Sequence, residues 1–243
     1  MKHTRLTQMF IAATTVAAIA STVYASLASH TLHLYHAVAV LGIAAATSRM
    51  KVKLPGVDGN MSMNLPFLLV AVVSLSAAEA VIIACVSTMV QCWPKRDAKF
   101  KPEQMLFNVS MMAFAASLAH LTWHAGSLTH MSEPLMLALT TAVFFFGQTA
   151  PVATVITLSK GESLHGTWHR TWLSISEMSF PYFVLSAGVT SMMSTVSHVF
   201  GWQTAVILFP LMYVIHRSYR LYFAGAAQTE SAPAMSRAAR AGA

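Results

Sequence analysis

Eight apolar runs, separated only by short polar strips, constrain this chain more tightly than any motif. They lie near 8–28, 32–48, 61–75, 76–94, 104–125, 133–158, 173–198 and 201–223. A bilayer core about 30 Å thick asks for about 20 apolar residues per spanning helix. Composition agrees: only 9% of residues are charged, against about 25% in a soluble domain, and the mean hydropathy is +0.58. Too little polar surface is available to face water, so the chain is expected to be an all-α polytopic membrane protein. The net charge of +7 does not point to nucleic acid, because the basic residues sit in short clusters between apolar runs. Cys85 and Cys92 share one apolar run and imply no disulfide framework.

The third run is short, about 15 residues or 22 Å as helix, and the fourth follows it directly. Ser76-Ala77-Ala78-Glu79 has capping-box spacing and marks a separate helix start. Charge gives a second reason to keep the two apart. With the N-terminus in the cytoplasm and eight spans, all 15 basic residues fall inside. Merging the third and fourth runs would reverse the sides from Lys95 onward, against the positive-inside rule. The expectation is therefore about eight transmembrane helices, including a short broken pair, with both termini cytoplasmic. The integral membrane domain covers 1–223, and the Ala-, Ser- and Arg-rich stretch 224–243 reads as a disordered cytoplasmic tail. Lys2 to Arg5, followed by an apolar stretch and Val23-Tyr24-Ala25, also has the form of a cleavable signal. The immediate run into a second span favours an uncleaved first helix.

Between the second and third runs lies a polar strip on the cytoplasmic side. Lys51, Val52, Lys53 and Leu54 alternate in polarity, as do Met61, Ser62, Met63 and Asn64, with an Asp58-Gly59 turn signal between them. Pro55-Gly56 argues against helix through the centre. Two readings fit. The strip is an interfacial loop, or it folds back into a protein cavity, where non-helical backbone is tolerated at depth.

Ionisable groups at depth are candidate functional residues. Glu79 follows a short run, so its helix start lies below the outer surface. It either caps its own helix or helps bind a ligand there. Ser76, Lys53 and Asn64 complete a candidate ligand-binding set. Seven of the 11 histidines fall near the outer side in the eight-span arrangement: His30, His33, His36, His120, His124, His130 and His198. His120 and His124 share a helical face, and with His33 and His36 they form a candidate metal or proton-linked set. Interfacial histidines with solvated tips are the alternative. His165 and His169, beside Trp168 and Trp172, read as an interfacial amphipathic helix. Glu177 reads as an acid at the start of the seventh span.

Several of these stretches together resemble the N-terminal integral-membrane sensor region of bacterial cyclic-di-GMP signalling proteins that carry HD-GYP or GGDEF domains. The stretches are Lys53-Leu54-Pro55-Gly56, Met61-Ser62-Met63-Asn64, Ala78-Glu79-Ala80, Ser179-Phe180-Pro181-Tyr182, Gly201-Trp202-Gln203-Thr204 and His216-Arg217-Ser218-Tyr219-Arg220-Leu221-Tyr222. The resemblance spans roughly residues 30 to 223. It implies a multi-pass protein of the bacterial inner membrane whose last motif, with Arg217, Tyr219 and Arg220, couples to a partner. The sequence departs from that pattern after Tyr222, where 21 residues follow with no HD motif, GGDEF motif or linker helix. More weakly, 50–93 is similar to the membrane subunits of energy-coupling-factor vitamin transporters.

No P-loop, nucleophile elbow, HExxH motif or paired carboxylates occur, so a non-enzyme is expected. The expected function is a stand-alone membrane sensor-like module that binds a small ligand, or senses the membrane or proton state, and acts through a partner membrane or signalling protein. The alternatives are a transporter or its substrate-binding subunit, and an accessory subunit of a larger membrane complex. The sequence identifies no cofactor and no ligand.

Overall fold

Apolar sequence with few helix breakers becomes helix, and it does so along most of this chain. The computed structural model describes residues 5–28, 34–53, 60–94, 100–128, 130–160, 164–200, 210 and 212–221. The elements are α1 (Arg5–Ala28), α2 (Leu34–Ser48), β1 (Lys51–Lys53), β2 (Asn60–Ser62), α3 (Leu65–Ser74), α4 (Ala77–Cys92), α5 (Pro102–Trp123), a 3-10 turn (Gly126–Leu128), α6 (Glu133–Lys160) and α7 (Leu164–Phe200). Residues 212–221 are again helical. Among the described residues, Arg5–Leu27, Pro102–Trp123 and Glu133–Lys160 are long and apolar enough to cross a bilayer. Leu54-Pro55-Gly56, Asp58-Gly59, His30, His33 and the tail 224–243 lie outside the described residues.

Helix α5 forms the centre. Residues on every side of it are buried, including Phe107, Met111, Ala115, Ala116 and His120, as expected for a helix enclosed by others. Helices α1, α4 and α6 pack around it. Two hydroxyl pairs join it to α1: Thr15 with Ser110 at 3.1 Å and Thr22 with Ser117 at 3.2 Å. Both partners advance by seven residues between these rungs, so α1 and α5 run parallel. Against α6, a Cβ added to Gly147 would lie 3.2 Å from Ala115, a close backbone approach of the small-residue type that membrane helices favour.

The polar strip is an antiparallel two-stranded ribbon, with Lys51 opposite Ser62 and Val52 opposite Met61. Alternation in the sequence foretold it. Val52, Ser62, Met63 and Asn64 are all buried, which favours the reading as a loop folded into protein. The Ser62 hydroxyl donates to the Ser48 carbonyl at 3.0 Å and so satisfies a free acceptor at the end of α2. The expected third span was too long: residues 60–62 are strand, and α3 begins only at Leu65.

The stretch around His165 and His169 needs a larger correction. The expected interfacial helix around His165 and His169 is not a separate element. It forms the first turns of α7, a single helix of 37 residues and about 55 Å. Indole N–H groups of Trp168 and Trp172 donate to Thr154 and Thr149 of α6, so both tryptophans belong to the α6–α7 contact. Glu177 therefore lies well inside α7, exposed, and does not begin a helix.

Candidate functional site

Helix α3 has only 10 residues, about 15 Å, and cannot reach both faces of a bilayer. Its ends must be satisfied inside the protein, because lipid offers no hydrogen bonds. Pro66 lies in the first turn, where a missing N–H does no harm. Seven of the ten residues are buried.

The sequence makes Asn64 the natural N-cap of α3, but its side chain makes no capping bond. It instead donates from Nδ2 to Ser87 Oγ in α4 at 3.3 Å. Asn64 lies 11 residues before Leu75 and Ser87 lies 11 after Ser76. Residues equidistant from the joint can meet only if α3 and α4 fold back antiparallel. The pair is therefore a helical hairpin with its joint at Leu75 and Ser76.

A closed set of polar contacts holds that joint. Ser76 Oγ accepts from the Glu79 backbone N–H at 3.4 Å. In return Glu79 Oε2 accepts from the Ser76 N–H at 3.0 Å and from its hydroxyl at 2.7 Å. This is the full capping box that the spacing implied. One residue earlier, the Leu75 carbonyl at the end of α3 lies 3.2 Å from His120 Nε2. A carbonyl only accepts, so Nε2 carries the proton. Leu75, Ser76, Glu79 and His120 are all buried.

The structure thus joins part of the sequence-derived set and separates the rest. Glu79, Ser76 and His120 meet at the joint. Asn64 sits at the opposite end of the hairpin. Lys53 ends β1, and its side chain is outside the described residues. His124 stacks on His120, with ring centroids 4.0 Å apart, and its Nδ1 lies 3.0 Å from the His120 carbonyl. His36 lies exposed in the first turn of α2, and His33 is outside the described residues. Among the described residues, no three His, Cys, Asp or Glu side chains are arranged to hold a metal ion.

Sequence reasoning missed the residue that supports the start of α3. The Tyr182 hydroxyl of α7 accepts the Leu65 N–H at 3.2 Å and stands in for the absent cap. Thr190, two turns further along α7, shares its hydroxyl between the Ser186 carbonyl at 2.9 Å and the Pro66 carbonyl at 3.2 Å. Tyr182 is buried and meets Tyr219 of the 212–221 helix edge to face at 6.2 Å. Arg217 and Arg220 are exposed, whereas Tyr219 is half-buried. The available signal was a tyrosine within an apolar helix, whose hydroxyl needs a partner when buried.

Comparison with known families covers almost the same stretch as the sequence resemblance. The model of the MASE9 family matches residues 25–223. The chain belongs to the MASE9 family. MASE9 is a family of membrane-associated sensors and is not an enzyme family. With its long apolar helices, this MASE9 chain is a membrane protein. The match lends no support to the transporter alternative. Neither the search of curated proteins nor that of solved structures returned a match.

Proposed function

We propose that this MASE9 chain is a multi-pass sensor of the bacterial inner membrane in which the buried α3–α4 hairpin is the sensing element. The 212–221 helix carries its state to a separate partner, through exposed Arg217 and Arg220. One observation carries the reading: Tyr182 touches both the first turn of α3 and Tyr219. A shift of the hairpin would therefore act directly on the helix that presents the two arginines. The hairpin is suited to move as a unit, because its polar groups are satisfied largely at its ends. Its stimulus is a small ligand at the Glu79 and Ser76 joint, or a change in the bilayer or in proton activity.

The proposed topology has eight membrane-embedded helical segments with both termini cytoplasmic, α3 and α4 being the short broken pair that enters and returns on one side. The parallel course of α1 and α5 supports that count. If α3 and α4 formed one span, α5 would cross opposite to α1. Hydrogen exchange of the protein in nanodiscs tests the sensing role. Steps in pH and in bilayer thickness should change protection of 65–80 and 212–221 together, and Tyr182→Phe should uncouple them. Independent responses, or none to either stimulus, would remove the support for this route.

A further inference from the structure

Helices α2 and α4 end side by side, and a groove of about 320 Å³ opens between them. It is lined by Arg49, Val86, Met89, Val90 and Trp93. Val86, Met89 and Val90 of α4, with Trp93 at its C-cap, recur at the spacing of one helical face, so the groove follows the helix axis. Ile82 is exposed one turn further along and extends the apolar stripe. The length from Ile82 to Trp93 is about 16 Å.

The two ends of the stripe differ in chemistry. At one end stands the exposed apolar side chain of Ile82. At the other end stand the exposed guanidinium of Arg49 and the exposed indole of Trp93, which meets Phe100 at a centroid distance of 6.4 Å. Exposed aromatics beside a cation mark headgroup depth. Arg49 is the charged residue of the lining, and Lys51 follows it by two positions. A basic residue between helices at headgroup depth is how membrane proteins hold anionic lipid headgroups. Guanidinium also pairs with phosphate through two parallel hydrogen bonds.

We infer that the α2–α4 groove is a binding site for one anionic glycerophospholipid, its phosphate on Arg49 and an acyl chain along Val86, Met89 and Val90. The site lies away from the Glu79 joint and does not rest on the sensing role. Its charge and apolar parts make separable predictions. Arg49 sets headgroup preference, and the groove sets retention of any lipid.

Native mass spectrometry of the delipidated full chain tests it, using equal amounts of phosphatidylglycerol and phosphatidylcholine with identical acyl chains. The wild type should hold the phosphatidylglycerol about fivefold more often, the factor given by about 1 kcal/mol per basic residue near an anionic surface. Arg49→Gln should bring that ratio to one, and Arg49→Lys should keep part of it. Met89→Trp, which fills the groove, should lower both adducts and leave the ratio unchanged. A wild-type ratio of one would overturn the site. So would a preference that survives Arg49→Gln, or a dimer that excludes lipid from the groove.

Discussion

Two antiparallel helix pairs in this molecule place their polar contacts differently, along the helices in α6–α7, where Trp168 and Trp172 bond Thr154 and Thr149, and at the ends in α3–α4. In α6–α7, 28 and 37 residues long, Phe145 packs against Phe180 and Phe183, and Trp172 stacks on Phe146. In α3–α4, 10 and 16 residues long, the decisive contacts are hydrogen bonds at the ends. Length explains the difference. A long helix carries its unsatisfied end groups out to water or headgroups. A short one leaves them buried, where each unpaired group costs about 1–3 kcal/mol. The short hairpin therefore concentrates its polar residues where a stimulus can act, and the long pair serves as a frame.

The comparison breaks most readily at Glu79. Glu79→Ala removes the acceptor of both Ser76 donors and should destabilise the protein by about 3 kcal/mol, combining a lost cap with unpaired buried donors. Glu79→Gln should recover most of that loss in a thermal melt in detergent. Phe145→Ala tests the frame. It should cost about 3 kcal/mol through the cavity it leaves, and exchange protection at the α3–α4 joint should stay unchanged. A smaller loss, about 1–2 kcal/mol, is expected for His120→Ala, which strips the Leu75 carbonyl of its donor. Here the exchange increase should be confined to the joint. Tyr182→Phe, at about 1 kcal/mol, should affect the start of α3 and the 212–221 helix. Gly147→Ala is the mildest test, because Ala115 has to yield only slightly. A loss within about 0.5 kcal/mol is expected, and Gly147→Val should cost clearly more.

Local chemistry made much of this architecture legible. Ser76 and Glu79 announced a helix start because a capping box is complete within four residues. Alternation from Lys51 and Met61 announced the ribbon because the strand period is two. The extent of α7 was not legible. Trp168 and Trp172 read as headgroup anchors, since an indole with a polar neighbour looks the same at an interface and in a helix contact. Only their bonds to Thr154 and Thr149 distinguish the two. Nor could the sequence reveal that Asn64 leaves its capping place to Tyr182, a residue 118 positions away. That exchange depends on which helix lies beside α3. His120 was picked out for its spacing to His124, yet its bond to Leu75 belongs to the fold and not to any local pattern.

The claim beneath all of this is that α3 and α4 fold back on each other inside the protein. Paired cysteines at Asn64 and Ser87, in a chain with Cys85 and Cys92 replaced by Ala, test it most directly. Oxidation in membranes should form the 64–87 disulfide in high yield, read by peptide mass spectrometry. A single continuous helix would hold the two positions about 35 Å apart. No disulfide between them in a protein that remains folded would contradict the hairpin and the buried joint it creates.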